Sequence, residues 1–159
     1  MKIKVGFGYD VHRLVEGHPF VLGGVQVDHI KGAFGHSDAD VLLHVICDAI
    51  LGAANLRDIG FNFPDTDPQY KGIDSKILLK ESYRLVKEKG YILSNLDCTI
   101  CLQYPKINPL IPEMREGIAS LLSIDIDDIS KKATTTEKLG FVGREEGISA
   151  YCTCLIQSV

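Results

Sequence analysis

The run from His36 to Gly60 constrains this chain most, because it specifies a helix and, on the same helix, a stripe of chemically active side chains. Ser37 followed three residues later by Asp40 has the form of a capping box, with a hydroxyl and a carboxylate available for the first unpaired N–H groups, so the helix is expected to begin near Asp38. At roughly 100° per residue, Leu42, Val45, Ile46, Ala49, Ile50 and Ala53 fall on one arc. Asp40, His44 and Asp48 stack at i, i+4 and i+8 on another. A stripe of this kind is either a solvated face or the edge of a metal or catalytic site, and taken alone the solvated face is the commoner outcome.

A second acid–imidazole pair shifts that balance. Ile3 to Phe7 has the composition of a first strand, Gly6 and Gly8 let backbone come close to something at its end, and Asp10-Val11-His12 follows it. His12 alone would more often be a structural histidine. A strand delivering Asp10 and His12, and a helix delivering His44, would make a three-ligand zinc site.

With 159 residues the chain is long enough for one domain with a substantial core, expected to span 1–159. A net charge of −4 gives no general attraction to nucleic acid or to an anionic membrane, so phosphate must be bound by a local site. No run reaches the length of a membrane span, and Met1 leads into strand-like sequence without a signal or transit segment, so a cytoplasmic location is expected. The five cysteines, Cys47, Cys98, Cys101, Cys152 and Cys154, lack the spacing of a disulfide framework and are expected to be reduced and mostly buried. Cys98 and Cys101 would point to opposite faces of a strand, and Cys152 with Cys154 lacks a second pair, so core packing is the better reading of both.

Around Gly23-Gly24, Phe20 to Leu22 and Val25 to Val27 form a short hairpin. The stretch from Asp58 to Pro68 is a long loop, either a binding loop or a surface turn with Asx caps. Asp74-Ser75 caps a second helix that ends at Gly90, an alternating strand runs from Leu93 to Leu102, and Asn108-Pro109 starts a third helix as N-cap and first residue. In Lys131 to Phe141 the threonines favour an extended strand. Their hydroxyls and Lys138 could hold phosphate oxygens and Glu137 a hard cation, or the segment is simply a polar edge strand. Ile148 to Ile156 closes the chain, and the element order predicts an α+β fold: a mixed four-stranded sheet with a small hairpin and helices packed on one face.

With these motifs placed, the chain resembles the 2-C-methyl-D-erythritol 2,4-cyclodiphosphate synthase family over nearly its whole length. The resemblance rests on Gly8-Tyr9-Asp10-Val11-His12, on His36-Ser37-Asp38 through His44 and Asp48, on Asp58-Ile59-Gly60 with Phe63 to Pro68, and on Lys132 to Phe141 with Gly143-Arg144. Ala39 stands where the family often has Gly. The implied reaction is attack of the substrate's 2-phosphate on the β-phosphorus of 4-diphosphocytidyl-2-C-methyl-D-erythritol 2-phosphate, giving the 2,4-cyclodiphosphate and CMP. Because the nucleophile is already anionic, no protein nucleophile–base pair is required, and none is evident in the sequence.

The resemblance further implies one Zn²⁺ per subunit on Asp10, His12 and His44, and Mg²⁺ or Mn²⁺ on Glu137 with the substrate diphosphate. His36 and Thr135 would be catalytic, and Ser37 would contact phosphate beside them. Asp58, Gly60, Phe63, Asp65 and Asp67 would line the methylerythritol end, and Leu102, Lys106, Asn108 and Thr134 the cytidine pocket. A homotrimer with active sites between subunits is implied, with Phe141, Arg144 and Glu146 around an axial cavity that could take an isoprenoid diphosphate. Two readings compete: a metal-dependent nucleotide or diphosphate hydrolase, and a non-catalytic isoprenoid-diphosphate-binding trimer with structural zinc. Three ligands rather than four favour an open site.

Overall fold

Strand β1 (Ile3–Glu16) runs well past the apolar stretch that announces it, because its backbone is paired along the whole length. A computed structural model describes all 159 residues. From Ile3 to Arg13, β1 is antiparallel to β7 (Gly147–Ser158), and from Arg13 to Glu16 it is antiparallel to β4 (Lys31–Phe34). Asp10 and His12 therefore stand on the strand itself rather than in a loop after it.

The sheet has five strands in the order β4-β1-β7-β5-β6, with β5 (Tyr91–Cys101) parallel to β6 (Ile129–Thr134). This corrects the four-stranded expectation. The missed strand, β4, is four residues of Lys-Gly-Ala-Phe, too short to show alternation and given its form by the end of β1. A separate hairpin, β2 (Val21–Leu22) and β3 (Val25–Gln26), turns at Gly23 and Gly24, whose φ values of +59° and +76° are those such a turn requires.

Helices α1 (Val41–Ala53), α3 (Ser75–Glu88) and α4 (Ile111–Leu122) cover one face, while α2 (Ile59–Asn62) and α5 (Gly140–Gly143) are single turns. The capping reading for α3 holds: Asp74 accepts from Lys76 N at 2.9 Å, and Gly90 beyond its end has φ +80°. Two starts differ. Asn108 and Pro109 lie in a 3₁₀ turn (Asn108–Leu110), and α4 begins at Ile111 without a side-chain cap, carrying Pro112 in its first turn where no N–H partner is needed.

For α1 the cap is Asp40, not Ser37. The Asp40 carboxylate is fully buried and accepts from Leu43 N at 3.1 Å, Gly23 N at 2.9 Å and Gly24 N at 2.7 Å, fastening the hairpin turn to the start of the helix. It is thus no part of a solvated stripe. His44 is buried too, because α1 is enclosed on nearly every side. Ala39, just before the cap, has φ +57°, which explains why glycine suits that position.

Along β1 the pleat divides the side chains. Gly6, Gly8 and Leu14 are buried beneath the helices. Val5, Phe7, Tyr9 and Val11 lie on the other face and are exposed, Val5 by 66% and Phe7 by 62%. Tyr151 on β7 extends this apolar face, its ring centroid 5.1 Å from that of Tyr9 and 6.4 Å from that of Phe7. On the covered side Ile148, Ala150, Cys152, Cys154 and Ile156 of β7 join Leu96, Cys98 and Ile100 of β5 in one continuous core. All five cysteines are free, with Cys101 alone among them not fully buried.

Gly6 and Gly8 are where α1 meets the sheet. A Cβ on Gly8 would lie 2.1 Å from the carbonyl oxygen of Val45, and one on Gly6 1.9 Å from that of Ala49. Both obstacles are helix backbone, which cannot rotate away. Gly8→Ala is therefore expected to lower unfolding free energy by at least about 2–3 kcal/mol. Gly52→Ala, where a Cβ meets nothing within 4 Å, should instead raise it by about 0.5–1 kcal/mol. Urea titrations of the two variants against the parent check this pair, and equal effects would remove the close approach as a determinant.

Candidate functional site

Because Asp10 and His12 are two apart on β1, both point toward α1, and the close seating of that helix brings His44 against them. Asp10 Oδ2 is 3.0 Å from His12 Nε2 and 3.0 Å from His44 Nδ1, and the two nitrogens are 3.1 Å apart. Three donor atoms on a tetrahedral zinc ion would be separated by roughly 3.3 Å, given bonds of 2.0–2.1 Å. The triad already has nearly that spacing.

The donor chemistry fits as well. His12 Nδ1 faces the carbonyl oxygen of Phe34 at 3.2 Å, an atom that can only accept, so Nδ1 can keep its proton there while Nε2 is the nitrogen available to a metal. A carboxylate and two imidazoles supply three protein ligands and leave a fourth position, the pattern of catalytic rather than structural zinc sites.

The triad opens on a cavity of about 350 Å³ lined in part by His12, His36, Ser37, His44, Gly60, Phe63 and Asp65. These sequence candidates are brought together as expected. Asp58 and Asp67 are not part of the lining. Asp58 Oδ1 caps α2 by accepting from Phe61 N at 2.7 Å, and Asp67 Oδ1 accepts from Gln69 N at 3.0 Å, so both carboxylates make Asx caps within the loop. Asp48 of the former stripe accepts from Ile59 N at 2.8 Å and so holds this wall in place.

Ile59, Tyr70, Ile73 and Leu78 complete the lining, and the last three were not evident from the sequence, since each reads as an ordinary core residue. Ser75 was legible only as part of a helix start. It is fully buried, with Oγ 2.9 Å from His44 Nε2.

The cytidine candidates form a second, small cavity of about 80 Å³, where Leu102, Lys106 and Asn108 meet Thr134 and Thr135. The two cavities share no lining residue. Glu137, beyond the end of β6, is exposed and lies outside the triad; its N–H donates to Thr135 Oγ1 at 3.3 Å. Glu137 and Lys138 both have positive φ, 53° and 63°, a strained pair of the kind found at functional turns. Phe141 and Glu146 line a third cavity of about 640 Å³, and Arg144 Nε donates to Glu146 Oε1 at 2.7 Å.

Comparison with known proteins gives a consistent result. The YgbB family matches residues 3–157. The chain is 63% identical over 157 residues to a 2-C-methyl-D-erythritol 2,4-cyclodiphosphate synthase of Bacteroides thetaiotaomicron, covering 99% of each. Among solved structures it matches the bifunctional IspDF of Campylobacter jejuni with a TM-score of 0.96 and 44% identity, covering 99% of this chain and 43% of that one. It also matches a 2C-methyl-D-erythritol-2,4-cyclodiphosphate synthase in a CDP-bound form with a TM-score of 0.90 and 34% identity, over 97% of this chain and all of the other.

Protons compete with metal at the triad, and the sign of that competition follows from its electrostatics. Burial opposes charge on His44, but the hydrogen bond and charge of Asp10 outweigh it and hold the metal-free imidazole protonated above its ordinary value of 6.5. Burial likewise opposes the charge of Asp10, yet His12 and His44 hold its carboxyl below the usual range. A metal needs the Nδ1 lone pair and must displace that proton. Zn²⁺ affinity, measured by chelator competition, is therefore expected to keep rising with pH above 6.5 and to level off only past the raised value. In the metal-free protein the sign reverses: stability contributed by protonated His44 is complete below the unfolded-state value and lost as pH rises through the folded one. A flat affinity profile between pH 6 and 8 would exclude His44 as a ligand.

Proposed function

The chain belongs to the YgbB family, and from that premise we infer that it carries out the reaction for which its synthase relatives are named, closing 2-C-methyl-D-erythritol 2,4-cyclodiphosphate in isoprenoid precursor biosynthesis. It is an enzyme of the lyase class. The observation that carries the reading is the open Asp10–His12–His44 triad facing a cavity edged by His36 and Ser37. A single domain over 1–159 working in the cytoplasm is sufficient for this chemistry; no helix is long and apolar enough to cross a membrane.

In 4-diphosphocytidyl-2-C-methyl-D-erythritol 2-phosphate, an oxygen of the 2-phosphate forms a bond to the β-phosphorus. The bond from that phosphorus to the bridging oxygen breaks, and CMP leaves with the electron pair. Zn²⁺ on the triad and Mg²⁺ or Mn²⁺ on Glu137, when bound, supply Lewis acids against the phosphate charge. His36 and Ser37 orient the attacking phosphate, and Thr135 donates toward the charge that develops on the diphosphate. Gly60, Phe63 and Asp65 hold the methylerythritol carbons, while Asp58 and Asp67 shape the loop that presents them. Leu102, Lys106, Asn108 and Thr134, which share one small cavity, receive the cytidine; that a relative was solved in a CDP-bound form supports a cytidine nucleotide as the ligand class. Positioning and charge neutralisation then supply most of the rate, as in phosphoryl transfer generally.

The working unit is a homotrimer. Two observations support it: Val5, Phe7, Tyr9, Val11 and Tyr151 gather exposed on the outer face of β1 and β7, and the triad cavity and the Thr134–Thr135 cavity are separate within one chain. Pairing one subunit's triad with a neighbour's threonine edge would complete the site. Phe141, Arg144 and Glu146 would then border an axial cavity for an isoprenoid diphosphate.

Two measurements test this. With the diphosphocytidyl substrate and both metals, ³¹P NMR is expected to show two coupled resonances of a cyclic diphosphate together with CMP, both lost on chelation. Glu137→Gln should raise the Mg²⁺ needed for half-maximal turnover about tenfold or more while bound zinc persists. Solvent ¹⁸O in the product would instead indicate hydrolysis, and no turnover by folded, zinc-loaded protein a binding function. Separately, light scattering is expected to give about three times the 17.5 kDa chain mass, falling to monomer with loss of turnover in Phe7→Asp. A fully active monomer would refute the shared site.

A further inference from the structure

His44 has a second side. While Nδ1 faces the triad, Nε2 is 2.9 Å from Ser75 Oγ and 3.1 Å from Ser37 Oγ. Ser75 Oγ is in turn 2.5 Å from Asp38 Oδ1, and Asp38 Oδ2 accepts from Ser75 N at 3.0 Å. Asp38 Oδ1 also accepts from Asp40 N at 3.1 Å, which ties the carboxylate to the loop before α1. A carboxylate can only accept, so the single Ser75 hydroxyl proton goes to Asp38. The Ser75 oxygen must then accept from His44, which keeps a ring proton on Nε2 and leaves Nδ1 as the nitrogen that gives up its proton to a metal.

We propose that Asp38 and Ser75 are positioning residues for the metal, a carboxylate–hydroxyl–imidazole relay that holds His44 in its Nε2–H tautomer and aims Nδ1 at the ion. Ser75 is fully buried and its hydroxyl is committed by Asp38, so the relay has one polarity. Ser37 differs. It is half-buried, it lines the cavity and no fixed acceptor takes its proton, so that proton remains available to a phosphate. The backbone half of the Asp38–Ser75 contact joins the start of α3 to the α1 loop and is structural; the hydroxyl half is the part that reaches the metal ligand.

The inference rests on the reading of Asp10, His12 and His44 as metal ligands, and the test separates the two. Zn²⁺ affinity is measured by chelator competition in the parent, Ser75→Ala, Asp38→Asn and Ser37→Ala, each with an unfolding curve of the metal-free protein. Ser75→Ala keeps the N–H to Asp38, and its affinity is expected to fall 10- to 100-fold, a typical loss for a group that orients a ligand. Asp38→Asn should fall comparably, since an amide cannot satisfy both the N–H and the hydroxyl of Ser75, whereas Ser37→Ala should stay within about threefold of the parent. Long-range ¹H–¹⁵N correlation on the zinc-loaded parent should show His44 protonated at Nε2 and metal-bound at Nδ1, a readout that does not depend on any variant folding. Parental affinity in folded Ser75→Ala, loss confined to Ser37→Ala, or zinc on Nε2 would each overturn the relay. Failure of the parent to bind zinc at all would overturn the metal site instead.

Discussion

The seating of α1 on β1 across Gly6 and Gly8 is the constraint on which the rest depends. Without side chains at those positions, the helix backbone stands close enough that the carbonyls of Val45 and Ala49 occupy the space a Cβ would take. His44, one residue before Val45, is thereby carried to within 3.0 Å of Asp10. A helix riding on ordinary side chains would stand farther off, sheet-to-helix packing being set by the residues between the layers. The glycines contribute nothing to the chemistry directly, yet the triad has its spacing because of them.

The loop before the helix fixes its other degrees of freedom. In Ser37-Asp38-Ala39-Asp40 each polar side chain has a separate partner: Ser37 turns to His44, Asp38 to Ser75 at the start of α3, and Asp40 to the hairpin turn. The left-handed Ala39 between them is what allows Asp38 and Asp40 to face different elements. Asp40 takes the full desolvation cost of a buried carboxylate and offsets it with three backbone N–H donors, so hairpin, helix and loop share one anchor.

Legibility in the sequence followed the range of the interaction. The Asp10–His12–His44 cluster could be anticipated because strand period and helix start are local, and two donors at i, i+2 facing one on a helix is a pattern that spacing alone suggests. The helix α3 and its Asp74 cap were readable for the same reason. What spacing could not reveal was burial: Asp40, His44 and Asp48 make a polar stripe on any helical projection, but α1 is enclosed, so the stripe became an anchor, a member of the Asp10–His12–His44 cluster and a loop tether. Strand β4 was invisible because its pairing comes from β1, and the caps that the Asp58 and Asp67 carboxylates make on their own turns were one of two readings the loop allowed. Ser75 shows the same limit, for a serine at a helix start has a sufficient local explanation and its partner lies 31 positions away.

The alternation of β1 joins assembly to chemistry. Gly6, Gly8, Asp10 and His12 occupy one face of the strand, where they seat the helix and build the candidate metal site. Val5, Phe7, Tyr9 and Val11 occupy the other, where they present the apolar surface on which subunits would meet. A one-residue slip in the β1–β7 register would exchange these faces, placing phenylalanine against the backbone of α1 and the aspartate in an apolar contact. No intermediate arrangement keeps either face. One strand therefore ties the geometry of the Asp10–His12–His44 triad to the apolar outer surface, so a chain that displays that surface also holds the triad in register.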